Sequence, residues 1–191
     1  MTTLKQSGSQ TVGPFFSIGL IRGGENMMVQ SETAGERIRI EGRVLDADQQ
    51  PVTDAMVEIW QADAQGIYNH PQDPRQADAD SHFSGFGRSA TDDNGVYFFD
   101  TIRPGVVPFD EMQNQAPHLL VRVFMRGTLL HAVTRLYFSD EAANDNDPVL
   151  STVDSAEKAL LIAQRDEGAG TPKFHFDIRM QGEQATPFFE P

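Results

Sequence analysis

Apolar and polar residues alternate with a period of two along much of this chain, and this constrains its fold more than any other feature. Ile38, Ile40 and Val44 alternate with Arg39, Glu41 and Arg43. Val57 and Ile59 flank Glu58, Val121 and Val123 flank Arg122, and Thr134, Leu136 and Phe138 alternate with Arg135 and Tyr137. Phe174, Phe176, Ile178 and Met180 alternate with His175, Asp177 and Arg179. Each run turns one face to a core and the other to water or a partner. Turn-forming clusters separate the runs, at Asp46–Pro51, at Asp92-Asp93-Asn94-Gly95, at Arg103-Pro104-Gly105 and at Arg126-Gly127. Seven or eight such strands predict an all-β fold, an antiparallel β-sandwich with long loops.

The expected domain spans 37–191. Residues 1–36, broken by Gly-Pro and Gly-Gly, read as an extended N-terminal arm. One short helix is expected near 155–164: Asp154 or Ser155 can cap it, Glu157 sits in the first turn, and Ala156, Leu160 and Leu161 give an apolar stripe. Residues 63–88 form a loop too long to be a simple connection, and such loops are usually functional.

Composition removes several function classes. The 15 Lys+Arg against 28 Asp+Glu leave a net charge of −13, which disfavours nucleic acid and anionic membranes as partners. The absence of cysteine excludes disulfides, thiolate nucleophiles and Cys-based metal sites. No apolar run matches a signal peptide or a membrane span, so the expectation is a cytoplasmic chain.

The blocks Trp60-Gln61-Ala62-Asp63…Gly66-Ile67-Tyr68, Phe86-Gly87-Arg88, Asp93-Asn94-Gly95-Val96-Tyr97, Thr101-Ile102-Arg103-Pro104-Gly105, Pro117-His118, Thr134-Arg135-Leu136-Tyr137-Phe138 and Phe176-Asp177-Ile178-Arg179 follow one another in fixed order. Together they resemble the intradiol ring-cleavage dioxygenases, from about Ser9 to the C-terminus. That family opens catechols between the two hydroxyl-bearing carbons with a non-haem Fe(III). The resemblance implies a ligand set of two tyrosines and two histidines, and hard ferric iron suits anionic oxygen donors balanced by imidazoles.

Carried over residue by residue, that set is half lost. Tyr68 matches the first tyrosine and His118 the first histidine, but Val107 stands for the second tyrosine and Leu120 for the second histidine. These four are vestigial metal-site positions, with no catalytic or metal-binding residue in this chain alone. Two-chain members of the family explain the pattern: a beta subunit holds the Fe(III), and a homologous alpha chain does not. The missing ligands and Ser9-Gln10-Thr11-Val12-Gly13-Pro14 resemble the alpha type. The resemblance implies that the arm contacts the beta partner's pocket. It places Thr11, Gly13, Pro14, Phe15 and Arg135 against a small aromatic acid substrate that reacts with O2, in a higher-order alpha–beta oligomer. Phe15 departs from the tyrosine usual there, so a hydroxyl contact is lost. The plainer alternatives are that Gly13-Pro14 only shapes a turn and that Arg135 only balances a nearby acid. For the whole chain the alternative is a non-catalytic β-sandwich module that binds a ligand or a protein. His70 and His82, in the loop with Asp73, Asp78 and Asp80, have no spacing that defines a metal site.

Overall fold

The computed structural model describes residue 13 and residues 15–190. One α-helix, α1 (Phe15–Leu20), precedes the strands β1 (Arg37–Leu45), β2 (Met56–Trp60), β3 (Phe86–Ala90), β4 (Val96–Ile102), β5 (Val107–Pro108), β6 (Asn114–Gln115), β7 (His118–Phe124), β8 (Ala132–Phe138), β9 (Ile162–Arg165), β10 (Lys173–His175) and β11 (Ile178–Arg179). Nine of these form one hydrogen-bonded sheet. It runs from β4 through β1, β10 with β11, β9, β8, β7 and β2 to β3, while β5 and β6 pair separately. The sheet folds over on itself as a sandwich that nearly closes into a barrel. Most pairings are antiparallel as expected, but β1 runs parallel to β10 and β11, and β8 runs parallel to β9.

The alternating apolar residues meet in one core. Ile38, Ile40 and Val44 of β1 pack with Val57, Ile59, Phe99, Leu119, Val121, Val123, Leu136, Phe138 and Phe174, each at 1% exposure or less. Phe138 and Phe174 meet edge to face at 4.9 Å. Gly42 falls on the inner side of β1 because nothing larger fits: a Cβ there would stand 1.8 Å from the Phe176 carbonyl oxygen, where the chain passes between β10 and β11.

The open seam of the sandwich lies between β3 and β4, and residues 25–28 cover it. Met28 N donates to Asp100 O, Asp100 N donates to Asn26 O, and Arg88 N donates to Glu25 O. The Met28 side chain then inserts beneath Gly87, at 7% exposure. Residues 25–28 are thus fixed to the sheet edge, and the described residues before them include α1 rather than being extended throughout.

The helix expected near 155–164 does not form. Residues 158–161 make a single 3-10 turn and 162–165 become β9. A lone helix of that length is marginal in water, whereas the strand gains a ladder on both sides. Ile162 and Ala163 face Tyr137 and Phe138 of β8, and Gln164 and Arg165 face His175 and Phe174 of β10. Leu161 is still buried, in a small cluster with Ala116, Tyr137 and Leu150. No helix among the described residues is long and apolar enough to cross a membrane.

Candidate functional site

The long loop after β2 is held in place by polar groups that the fold buries. Gln61, fully buried, donates to Ile102 O at 2.9 Å and accepts from Thr101 Oγ1 at 2.8 Å. Asp63, 3% exposed, accepts from the backbone of Gln65 and Ile67 through Oδ1 and from Asp80 N through Oδ2, each at 2.9 Å. Buried carboxylates are tolerated when several N–H groups surround them. Gly66 (φ 76°) lets this loop touch the Val106 carbonyl, where a Cβ would stand 1.9 Å away. That approach brings Tyr68 beside Val107.

Tyr68 stacks on Trp60, with ring centroids 5.8 Å apart and planes 13° apart, and its N–H donates to Asp73 Oδ2. With Val107, Gln115 and Arg75, these two rings line a cleft of about 540 Å3. Beneath it lies the outward face of β7 and β8. His118 stands opposite Tyr137 and Leu120 opposite Arg135. The structure therefore brings Tyr68, Val107, His118, Leu120 and Arg135 into one region of this chain.

Arg135 is the basic centre of that region. Its half-buried guanidinium donates from Nη1 to Gln115 Oε1 at 2.7 Å and to the Tyr137 hydroxyl at 3.4 Å. Tyr137 donates in turn to Asp147 Oδ1 at 3.1 Å. Asp147 is fully buried and also accepts from the N–H groups of Ala116, Val149 and Leu150. Gln115, Tyr137 and Asp147 went unmarked in the sequence. The one available signal was Tyr137 at i+2 from Arg135, on the same strand face.

These surroundings set the protonation states. Burial pushes the Tyr68 phenol above its ordinary value, and the nearby Arg135 charge only partly offsets this. His118, 4% exposed, is lowered to about 4, chiefly by burial and then by Arg135. Its Nδ1 lies 2.8 Å from Ala116 O. A carbonyl only accepts, so Nδ1 carries the proton and Nε2 the lone pair.

A ferric ion does not fit these residues. Of the four matched positions Tyr68 and His118 offer one phenol and one imidazole, Val107 and Leu120 offer none, and the Arg135 guanidinium lies near both donors, where a trication calls for anions. Among the described residues, no three or more His, Asp or Glu side chains gather as a metal site.

The other residues singled out in the sequence fall elsewhere. Gly13 is half-buried with φ 71°. Thr11 and Pro14 lie outside the described residues, as does the side chain of Phe15, whose backbone begins α1.

Comparison with known proteins agrees with the motif order. A family model described as a dioxygenase matches residues 12–182. The protocatechuate 3,4-dioxygenase alpha chain of Burkholderia cepacia is 42% identical over 203 residues, covering 100% of both chains. The beta chain from the same organism is 35% identical over 170 residues, covering 85% of this chain and 72% of the other. Among solved structures, the dioxygenase domain of a dioxygenase–carbohydrate-binding fusion from Streptomyces sp. SirexAA-E superposes with a TM-score of 0.63 at 23% identity, covering 92% and 97% of the two chains, a likeness of fold. Matched along nearly its whole length, the chain belongs to the intradiol ring-cleavage dioxygenase family.

Proposed function

We propose that this chain is the alpha subunit of a protocatechuate 3,4-dioxygenase, which cleaves protocatechuate with O2 to 3-carboxy-cis,cis-muconate at a site shared with a homologous beta subunit. The observation that carries this reading is the end-to-end similarity to an alpha chain, joined to apolar Val107 and Leu120 at two of the four ligand positions. The Fe(III) in this scheme belongs to the beta subunit, whose existence as a separate relative supports a heteromer.

This chain's part is to bind and enclose. The arm, residues 1–36, meets the partner, with Thr11, Gly13, Pro14 and Phe15 forming a wall against the flat substrate. Glycine and proline suit close backbone approach to a ring. Protocatechuate carries a carboxylate, and the Arg135 guanidinium, steadied at Nη1 by Gln115, supplies a cation in an acidic chain.

The test is expression of the chain alone and together with its beta partner. The isolated chain is expected to be colourless, iron-free and inactive, and the co-expressed complex to bind iron and consume O2 with protocatechuate. An iron-loaded, active preparation of this chain by itself would overturn the reading.

A further inference from the structure

A cleft of about 500 Å3 opens over β1 and β4, between residues 27–30 on one side and residues 169–173, which lead into β10, on the other. It shares no lining residue with the cleft of Trp60 and Tyr68, and Arg135 is not part of it. Strand register gathers its charges. Arg37 and Arg39 are two residues apart on β1 and so share a face. Arg39 pairs with Lys173 of β10 on one side and with Asp100 of β4 on the other. Three cations thus meet one carboxylate in the lining, in a chain whose net charge is −13.

Only one of the three cations is matched. Arg39 holds Asp100 with two hydrogen bonds, from Nε to Oδ1 at 2.6 Å and from Nη2 to Oδ2 at 2.7 Å. Lys173 Nζ stands 4.0 Å from Glu41 Oε2, beyond hydrogen-bond distance. Arg37 is half-buried and makes no ion pair among the described residues. Its Nη2 donates to Gln30 O at 2.6 Å, while its Nη1 is buried with no hydrogen-bond partner. A guanidinium stays protonated, so a half-buried one without a counter-ion is costly unless a negative charge from outside the chain offsets it.

We propose that this cleft binds a phosphoryl dianion between Arg37 and Lys173, either inorganic phosphate or the phosphate of a small ester. Two uncovered cations call for two negative charges. A phosphate monoester carries about −1.5 to −2 near pH 7, whereas a carboxylate carries one. The Thr171 hydroxyl, two residues before Lys173, lines the same cleft and adds a neutral donor. The volume falls within the range of ligand pockets, and Met27 and Val29 on the wall suit a short organic group beside the phosphate. The site needs no metal and no partner chain, so it stands or falls independently of the subunit assignment.

The probes are inorganic phosphate and glycerol 3-phosphate, with acetate as the singly charged control. Each is titrated into the purified chain at about pH 8, where both phosphates are dianions, at fixed ionic strength, and followed by calorimetry and phosphorus NMR. Saturable phosphate binding is expected, with acetate about tenfold or more weaker. Lys173→Gln and Arg37→Gln should each weaken phosphate binding by about tenfold or more, because a charge-assisted contact is lost. Arg122→Gln removes the same charge from β7, outside the cleft, and should leave the affinity within about twofold. Tighter binding of glycerol 3-phosphate would assign the apolar wall to an ester's organic group, and equal or weaker binding would assign the site to free phosphate. Absence of saturation, acetate binding as tightly as phosphate, unchanged affinity in Lys173→Gln, or an equal loss in Arg122→Gln would each overturn the proposal. The phosphate–acetate comparison needs no variant and therefore decides the matter even if Arg37→Gln, which also frees Gln30 O, folds poorly.

Discussion

The two faces of β7 follow different rules. Inward, Leu119, Val121 and Val123 are interchangeable in character and almost completely buried. Outward, three consecutive alternate positions differ in every respect: His118 is buried and bonded to a carbonyl, Leu120 is half-buried in place of a possible metal donor, and Arg122 is exposed and unpaired. The inner face is constrained by volume and the outer face by chemistry. Changes on the inner face should therefore appear in stability, and those on the outer face in pH dependence and binding.

The largest expected effect is Leu119→Ala, which removes a fully buried side chain from the core and should cost about 2–5 kcal/mol in urea unfolding. A smaller loss would mean that the core collapses into the space.

Next comes His118, whose effect should depend on pH. Its folded value of about 4 lies below its ordinary 6.5, so the unfolded chain binds the proton more readily between the two. Stability from this group is complete above pH 6.5 and is lost as pH falls towards 4, by about 3 kcal/mol over the window. Unfolding free energies at pH 7 and pH 4.5 should diverge less in His118→Gln than in the unaltered chain. Equal divergence would mean that His118 titrates normally.

Third, in the proposed alpha–beta complex Arg135→Ala should raise KM for protocatechuate about tenfold, as expected for one lost charge-assisted contact, with a smaller change in kcat. Unchanged kinetics would remove Arg135 from the substrate site. The smallest effect is expected of Leu120→Ala, beside Leu119 in sequence but on the other face. It should cost under about 1.5 kcal/mol, because the side chain is only half-buried. A cost equal to that of Leu119→Ala would erase the distinction between the faces.

The same division decides what could be read from sequence. Alternation marked the strands because most inward residues are apolar, whatever their partner, with Thr101 and Thr134 among the few buried polar ones. The stretch at 155–164 misled because the ladders that make 162–165 a strand come from β8 and β10, which are distant in sequence. Asp63 and Asp147 are ordinary acidic residues in the sequence, yet the fold buries both and gathers backbone N–H groups around them. The motif order exposed Tyr68 and His118 and the gaps at Val107 and Leu120. The nearness of Arg135 to them required the register that sets Leu120 opposite Arg135.

The seam closure at residues 25–28 has a mechanical consequence. Because Asn26 and Met28 are tied to both sides of Asp100, the chain leaves the sheet edge towards its N-terminus from a fixed post. From Glu25 back to Gly13, the six-residue helix contributes about 9 Å, and the remaining residues bring the reach to about 30 Å at full stretch. A leash of that length keeps its tip near any chain docked on the same edge, at an effective concentration of order millimolar. In the heteromer proposed above, a weak contact from the arm would then suffice to keep the neighbouring pocket walled, and lengthening the leash would loosen that wall without altering a single residue that touches substrate.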